Sequence, residues 1–347
     1  MINQRLFDWH GIDTKKNLGL KTFCPRPYDT VLIDKMGSCY LCECTSWLPQ
    51  SAGNLHIQSL EDIVNSKMSL ELQSSIADGS YRYCNNKQCS WLLDTRPETK
   101  SWKEIVPTRQ IKNIRLAIDD SCNLSCPSCR TQQIFERDKF QLRKKFKLAD
   151  RIIEYVQSQK HNINVHVGSD GDPFASLVYR YFVKEIKNLN NVRFSIHTNG
   201  LLIKKMYHRH IELFEKLDML NVSIDGSTKS TYESLRRGGV WEKIIENLET
   251  IKQLKEKYKF QFILHFVVQA ENYREMPGIV ELAEKYSADR IWLNKITNWN
   301  TFSDFASKNV DDSSHPENAS YLSIARQLKE KSKTYNPRFI EMPTLNI

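Results

Sequence analysis

The chain is expected to fold as an α/β protein, with an open or partial barrel of parallel strands preceded by a small cysteine-rich α+β module. Three observations lead there. From about residue 110 onward short β-rich runs alternate with longer helical stretches, the pattern of successive strand–helix units. The helical stretches carry apolar residues at helical spacing, most clearly Trp241, Ile244, Ile245, Leu248, Ile251 and Leu254. The cysteines crowd the first 90 residues and one later loop, and none follows Cys129.

Taken in chain order, the N-terminal segment predicts a hairpin, with strands over residues 30–33 and 38–41 around a turn at 34–37, then a helix over 59–80. It has too few apolar residues for a sizeable core of its own, so a metal staple is physically reasonable. Six strands are predicted next, over residues 111–118, 163–167, 192–197, 219–224, 260–268 and 290–293. Such a series is too short for a closed eight-stranded barrel, which usually takes about 250 residues. Ligands of such sheets bind at the carboxyl ends of the strands. A polar stretch and one amphipathic helix over 321–331 follow, so the expected division is 1–105, 106–293 and 294–347. The basic run Arg143-Lys144-Lys145-Phe146-Lys147 reads as the solvated face of a helix.

Composition narrows the class. With 26% charged and 40% hydrophobic residues the chain is neither disordered, collagenous nor a coiled coil. Its longest apolar runs, such as Phe266-Val267-Val268, fall far short of the roughly 20 residues that cross a bilayer, and its start lacks the apolar core of a signal peptide. A cytoplasmic protein is expected. The net charge of +9 biases the surface toward anionic partners or simply keeps it soluble. Nine cysteines, an odd number in a reducing compartment, argue for metal ligation or catalysis over a disulfide framework.

The decisive motif follows the first barrel strand, in Asp119-Asp120-Ser121-Cys122-Asn123-Leu124-Ser125-Cys126-Pro127-Ser128-Cys129-Arg130. Three thiolates spaced Cys-x3-Cys-x2-Cys can hold three corners of a cubane iron–sulfur cluster and leave the fourth iron open. Zinc is the competing reading, but no fourth ligand follows at conventional spacing. The spacing resembles the radical S-adenosylmethionine (SAM) superfamily, and further motifs in order strengthen the likeness. Gly168-Ser169-Asp170-Gly171-Asp172-Pro173 resembles its Gly-Gly-Glu-Pro segment, His197-Thr198-Asn199-Gly200 its Thr-Asn-Gly turn, and Ser223-Ile224-Asp225-Gly226 a strand end near the SAM ribose. Tyr232-Glu233-Ser234-Leu235-Arg236-Arg237-Gly238-Gly239 resembles a segment that supplies an arginine to the SAM carboxylate. The resemblance covers about residues 110–293. It implies a partial (β/α)6 barrel of the radical SAM type and a [4Fe-4S] cluster on Cys122, Cys126 and Cys129. It also implies SAM contacts from Gly171, Asp172, Pro173, Asn199, Ser223, Asp225 and Arg236 or Arg237. Ser128 stands where an aromatic residue is frequent, and Asp172 where Glu is usual.

The N-terminal spacing Cys24-x12-Gly37-x4-Cys42, followed by Gly53-Asn54-Leu55 and Cys84-x4-Cys89, resembles the SPASM or twitch auxiliary-cluster module of the same superfamily, here placed before the barrel. The resemblance implies a second [4Fe-4S] cluster on Cys24, Cys42, Cys84 and Cys89, with structural zinc as the alternative. Cys39 and Cys44 are left over: bystanders, a substitute for one of the four ligands, or catalytic hydrogen-atom donors as in radical SAM epimerases. Taken together the likeness implies an oxidoreductase that cleaves SAM reductively, fed by a flavodoxin- or ferredoxin-type donor, and abstracts a hydrogen atom from a peptide or protein side chain. Dehydrogenation or epimerisation of a sugar or other small polar metabolite is the alternative. A non-catalytic iron–sulfur or zinc protein binding nucleic acid is the rival from another class. It lacks basic residues interleaved with aromatics on one element.

Overall fold

The computed structural model describes residues 2–20, 23–43, 45, 47–93, 110–334 and 340–342. The chain divides into two compact units. Unit 1 comprises Met1–Asp119, Arg137–Asp170 and Asn188–Arg193, and unit 2 comprises Asp120–Glu136, Gly171–Lys187 and Phe194–Ile347.

Unit 1 contains strands β1 (Thr30–Asp34), β2 (Ser38–Tyr40), β3 (Gly53–Asn54), β4 (Asn113–Ala117) and β5 (Ile163–Val167), in the order β3-β2-β1-β4-β5. The hairpin expected at the N-terminus is β1 and β2, antiparallel with Leu32 opposite Tyr40. Its turn is held by Asp34, whose Oδ1 accepts from the amides of Met36 (2.9 Å) and Ser38 (2.8 Å), and by Gly37 at φ +77°. Val31, Leu32 and Ile33 are all buried, as in a strand covered on both faces, and β1 accordingly pairs in parallel with β4 along its other edge. The N-terminal segment therefore shares strand pairing with the first barrel strand, and the compact units do not divide near residue 105 as expected.

Two further expectations change in unit 1. The helix expected over 59–80 is two helices, Leu60–Val64 and Lys67–Ala77, because Ser66 acts as a second N-cap and accepts from the Ser69 amide at 3.3 Å. The helix Lys139–Ser158 buries Leu148, Ala149, Ile152, Ile153 and Val156. Within its basic run Lys145 is not solvated: it is buried and ion-paired with Asp119 at 2.7 Å.

Unit 2 contains β6 (Val192–Thr198, whose first two residues belong to unit 1), β7 (Leu217–Ser223), β8 (Gln261–Val268), β9 (Arg290–Lys295) and β10 (Ile340–Glu341). They run β6-β7-β8-β9-β10, every pair parallel. The six predicted strands are β4 to β9. Neither series closes into a ring, so the fold class is α/β with mostly parallel strands. The helix Trp241–Tyr258 buries Ile244, Leu248, Ile251 and Leu254 as its periodicity predicts. In unit 2 the turns that leave the carboxyl ends of β6 and β7 carry His197–Gly200 and Ser223–Gly226, and position the site.

Candidate active site and a second cysteine cavity

The loop of residues 120–136 in unit 2 is tied down by its own backbone. Cys122 N donates to Ile134 O at 2.7 Å, Ser125 N to Arg237 O at 3.0 Å, and the amides of Cys129 and Arg130 both reach Cys126 O at 2.9 Å. Cys122 and Cys126 are buried and Cys129 is exposed. Each sulfur meets N–H donors. Leu124 N (3.4 Å) and Asn199 Nδ2 (3.9 Å) address Cys122 Sγ, Arg236 Nη1 (3.8 Å) addresses Cys126 Sγ, and Arg130 Nε (3.4 Å) addresses Cys129 Sγ. Burial, the largest cause, pushes the Cys122 thiol up to about 11 and also raises Cys126. A bound iron would deprotonate such thiols, and the surrounding N–H groups are the donors that a thiolate needs. The three residues thus fit a cluster by their chemistry.

Asp172 is the hub of the neighbouring turns. Fully buried, its carboxylate accepts from the amides of Phe174 (3.0 Å), Ala175 (3.2 Å) and Asn199 (2.8 Å) and from Thr198 Oγ1 (2.7 Å). The Asp that replaces the usual Glu therefore ties the segment around Gly171 and Pro173 to the Thr-Asn-Gly turn. Asn199 in turn donates to Asn123 Oδ1 at 2.9 Å, which links that turn to the cysteine loop.

The arginine pair is divided between two tasks. Arg237 grips the cysteine loop, donating to Ser125 Oγ (3.1 Å) and Thr131 O (2.8 Å). Arg236 makes a buried ion pair with Asp225 at 2.8 Å and keeps a buried Nε without an acceptor. Asp225 sits at φ +49°, a conformation that lets its Oδ1 turn back to accept from Val267 N at 2.7 Å.

A row of polar side chains runs across β6 to β9, of which Asn221, His265 and Asn294 escaped the sequence reading. Asn294 Nδ2 contacts His265 Nε2 at 2.6 Å, His265 Nδ1 faces Ser223 Oγ at 3.5 Å, and Ser223 Oγ meets His197 Nε2 at 2.7 Å. An amide NH2 only donates, so His265 Nε2 accepts and its proton sits on Nδ1, directed at Ser223. His265 is neutral: burial, reinforced by the Arg236 charge, lowers it to about 3. The register adds Asn221 beside His197 and Trp292 beside His265. Asn221 is 1% exposed, yet its Oδ1 has no partner, and Trp292 Nε1 is likewise buried and unpartnered. The available signal was one polar residue inside an apolar strand, His265 in Phe262-Ile263-Leu264-His265-Phe266-Val267-Val268.

With this geometry in view, comparison with known proteins is informative. Residues 118–283 match the model of the Radical SAM superfamily. Over 185 residues, 53% of this chain and 57% of the relative, the sequence is 25% identical to a protein named probable GTP 3',8-cyclase of Saccharolobus solfataricus. Over 135 residues, 38% and 43%, it is 30% identical to a protein of the same name from Methanococcus aeolicus. The chain spans about half the length of the curated relatives it matches. Solved structures that resemble it include Streptococcus suis SuiB bound to S-adenosylmethionine, at 12% identity over 67% of this chain and 50% of that one, TM-score 0.45. Another is polyhistidine-tagged anSMEcpe with bound AdoMet, at 16% identity over 66% and 60%, TM-score 0.46. The matched segment includes the cysteine loop and the turns at residues 171–173, 197–200 and 223–226. Among the described residues no helix is long and apolar enough to cross a membrane.

Unit 1 holds a second group of thiols. Cys24, Cys42, Cys84 and Cys89 line one small cavity, together with Arg26 and Trp91. Tyr81 helps to draw the distant segments together: its hydroxyl accepts from Cys24 N at 3.0 Å and its carbonyl from Cys84 N at 3.0 Å. Burial raises the Cys24 and Cys84 thiols well above the ordinary range, and neighbouring thiols raise them further. Among the described residues no group of three or more His, Cys, Asp or Glu side chains is placed to hold a single metal ion. Cys39 does not line this cavity. It is fully buried, its sulfur is 3.8 Å from Gly37 O, and burial pushes it up to about 12. Cys44 lies outside the described residues.

Proposed function

We propose that the chain is a radical SAM enzyme that takes a hydrogen atom from a small polar substrate lying against the polar row of unit 2. The observation that carries the first part is the set of N–H donors around Cys122, Cys126 and Cys129 within the matched segment. Those cysteines would hold three irons of a [4Fe-4S] cluster. A cluster held there would supply the electron for reductive cleavage of bound SAM. The chain's own residues bind and orient. Asn199 and Arg236 address the thiolate sulfurs, Asp172 holds the Thr198–Asn199 turn, and the free Nε of Arg236 is an available donor for a carboxylate.

The second part rests on the polar row. Neutral His265, Ser223, Asn294 and the unpartnered Asn221 Oδ1 offer uncharged donors and acceptors, which match hydroxyl, amide and ring-nitrogen groups. The names of the curated relatives favour the small-metabolite reading over the peptide. Curated relatives are named for action on GTP, so a purine nucleotide is the first substrate to assay. A one-electron donor of the flavodoxin or ferredoxin type is the expected partner. For unit 1 we propose an auxiliary [4Fe-4S] cluster of the SPASM or twitch kind on Cys24, Cys42, Cys84 and Cys89, supported by their shared cavity.

The test is anaerobic reconstitution, reduction with dithionite, addition of SAM and measurement of 5'-deoxyadenosine. Wild type should form it, and changing Cys122, Cys126 and Cys129 together to Ala should abolish it. Formation by the triple variant, or none by iron-loaded wild type, would overturn the reading.

A further inference from the structure

The cysteine cavity of unit 1 contains nitrogen donors that the fold leaves unspent. Trp91 lines it, and its Nε1 is buried with no hydrogen-bond partner. Arg26 lines it too. Its Nη1 lies 2.8 Å from Glu43 Oε2 as an ion pair but makes no aligned hydrogen bond, and the guanidinium shares this lining with all four cysteines. Lys16 adds a further positive charge, its Nζ donating to Cys84 O, while Glu43 brings a negative charge beside Arg26. The rest of the lining is apolar, including Leu41, Leu48, Leu72 and Ile76.

We propose that Arg26 and Trp91 are positioning residues that raise the reduction potential of the cluster proposed at Cys24, Cys42, Cys84 and Cys89. The inference rests on that reading of unit 1. A cubane with four thiolates is negatively charged and gains one more negative charge on reduction. In a cavity with apolar walls, a fixed cation and an unspent N–H among the lining residues stabilise the reduced form more than the oxidised one. With a cysteine at every iron corner no site remains for a substrate atom, so the group would act through its electrons alone.

The experiment uses the full-length chain with Cys122, Cys126 and Cys129 changed to Ala, so that signals come from unit 1 only. This parent, and the same chain with Arg26→Met, Arg26→Lys or Trp91→Phe, is reconstituted anaerobically, assayed for iron and sulfide, and titrated with dithionite while the reduced cluster is followed by electron paramagnetic resonance. The expected loading is about four irons per chain throughout. Arg26→Met should make reduction at least tenfold less favourable, a shift of about 59 mV to more negative potential for one electron. Trp91→Phe should shift it the same way by less, and Arg26→Lys should restore part of the loss. Loaded variants with the parent's potential would overturn the inference while leaving the cluster in place. A parent that takes up no iron would instead overturn the cluster reading, and the inference with it. Should Arg26→Met fail to load, Trp91→Phe and Arg26→Lys decide by the same criterion.

Discussion

Replacing Arg236 by Met should destabilise the protein before any cofactor is considered. The guanidinium side chain is 12% exposed and its partner Asp225 only 2% exposed, with 2.8 Å between Nη2 and Oδ2. Removing one member of a buried pair strands the other charge, at a cost of about 3–5 kcal/mol. Asp225 keeps the Val267 amide as a donor, which places the loss toward the lower end, about 3 kcal/mol, or roughly a hundredfold in the unfolding equilibrium. Adding Asp225→Asn removes the stranded charge, so the double variant should be more stable than Arg236→Met alone. Urea unfolding of the metal-free protein, followed by tryptophan fluorescence, measures both. If Arg236→Met unfolds within about 0.5 kcal/mol of wild type, or the two losses simply add, the ion pair is not the anchor of this turn. SAM affinity of the reconstituted Arg236→Met variant, independently measured, should fall as well.

Three other outcomes are expected. Because His265 is neutral in the fold, with a value near 3, its contribution to stability is fully present above pH 6.5 and is lost as pH falls toward 3; wild type should lose about 1 kcal/mol more than His265→Asn between pH 7.5 and 5.5, and equal losses in urea titrations would refute this. In Gly226→Ala the new Cβ would stand 2.5 Å from Tyr232 N, a backbone atom that cannot swing aside; a loss of about 1–3 kcal/mol should appear in calorimetry, and an unchanged melting temperature would show that the turn yields. Reconstituted wild type should contain about eight irons and the Cys122, Cys126, Cys129 triple Ala variant about half; Cys39→Ala should keep the full complement, since its sulfur faces Gly37 and not the cavity, and iron loss there would move Cys39 into the ligand set.

What the amino-acid order determined by itself is local. Cys122, Cys126 and Cys129 fall within one short loop, so their spacing alone brings them together, and that loop follows a strand that alternation already marked out. Strands β4 to β9 and the Asp34–Gly37 turn were legible for the same reason: periodicity and turn chemistry act over a few residues. Tertiary structure decided what depends on strand order and register. Cys24 and Cys84 share a cavity through Tyr81, and the chain of Asn294, His265, Ser223 and His197 exists only because β6 to β9 lie side by side at one register. The buried Lys145–Asp119 pair and the insertion of β1 beside β4 are likewise contacts between separate segments of the chain. Periodicity names the buried face of a segment, but the partner on that face is chosen by the packing of the whole fold.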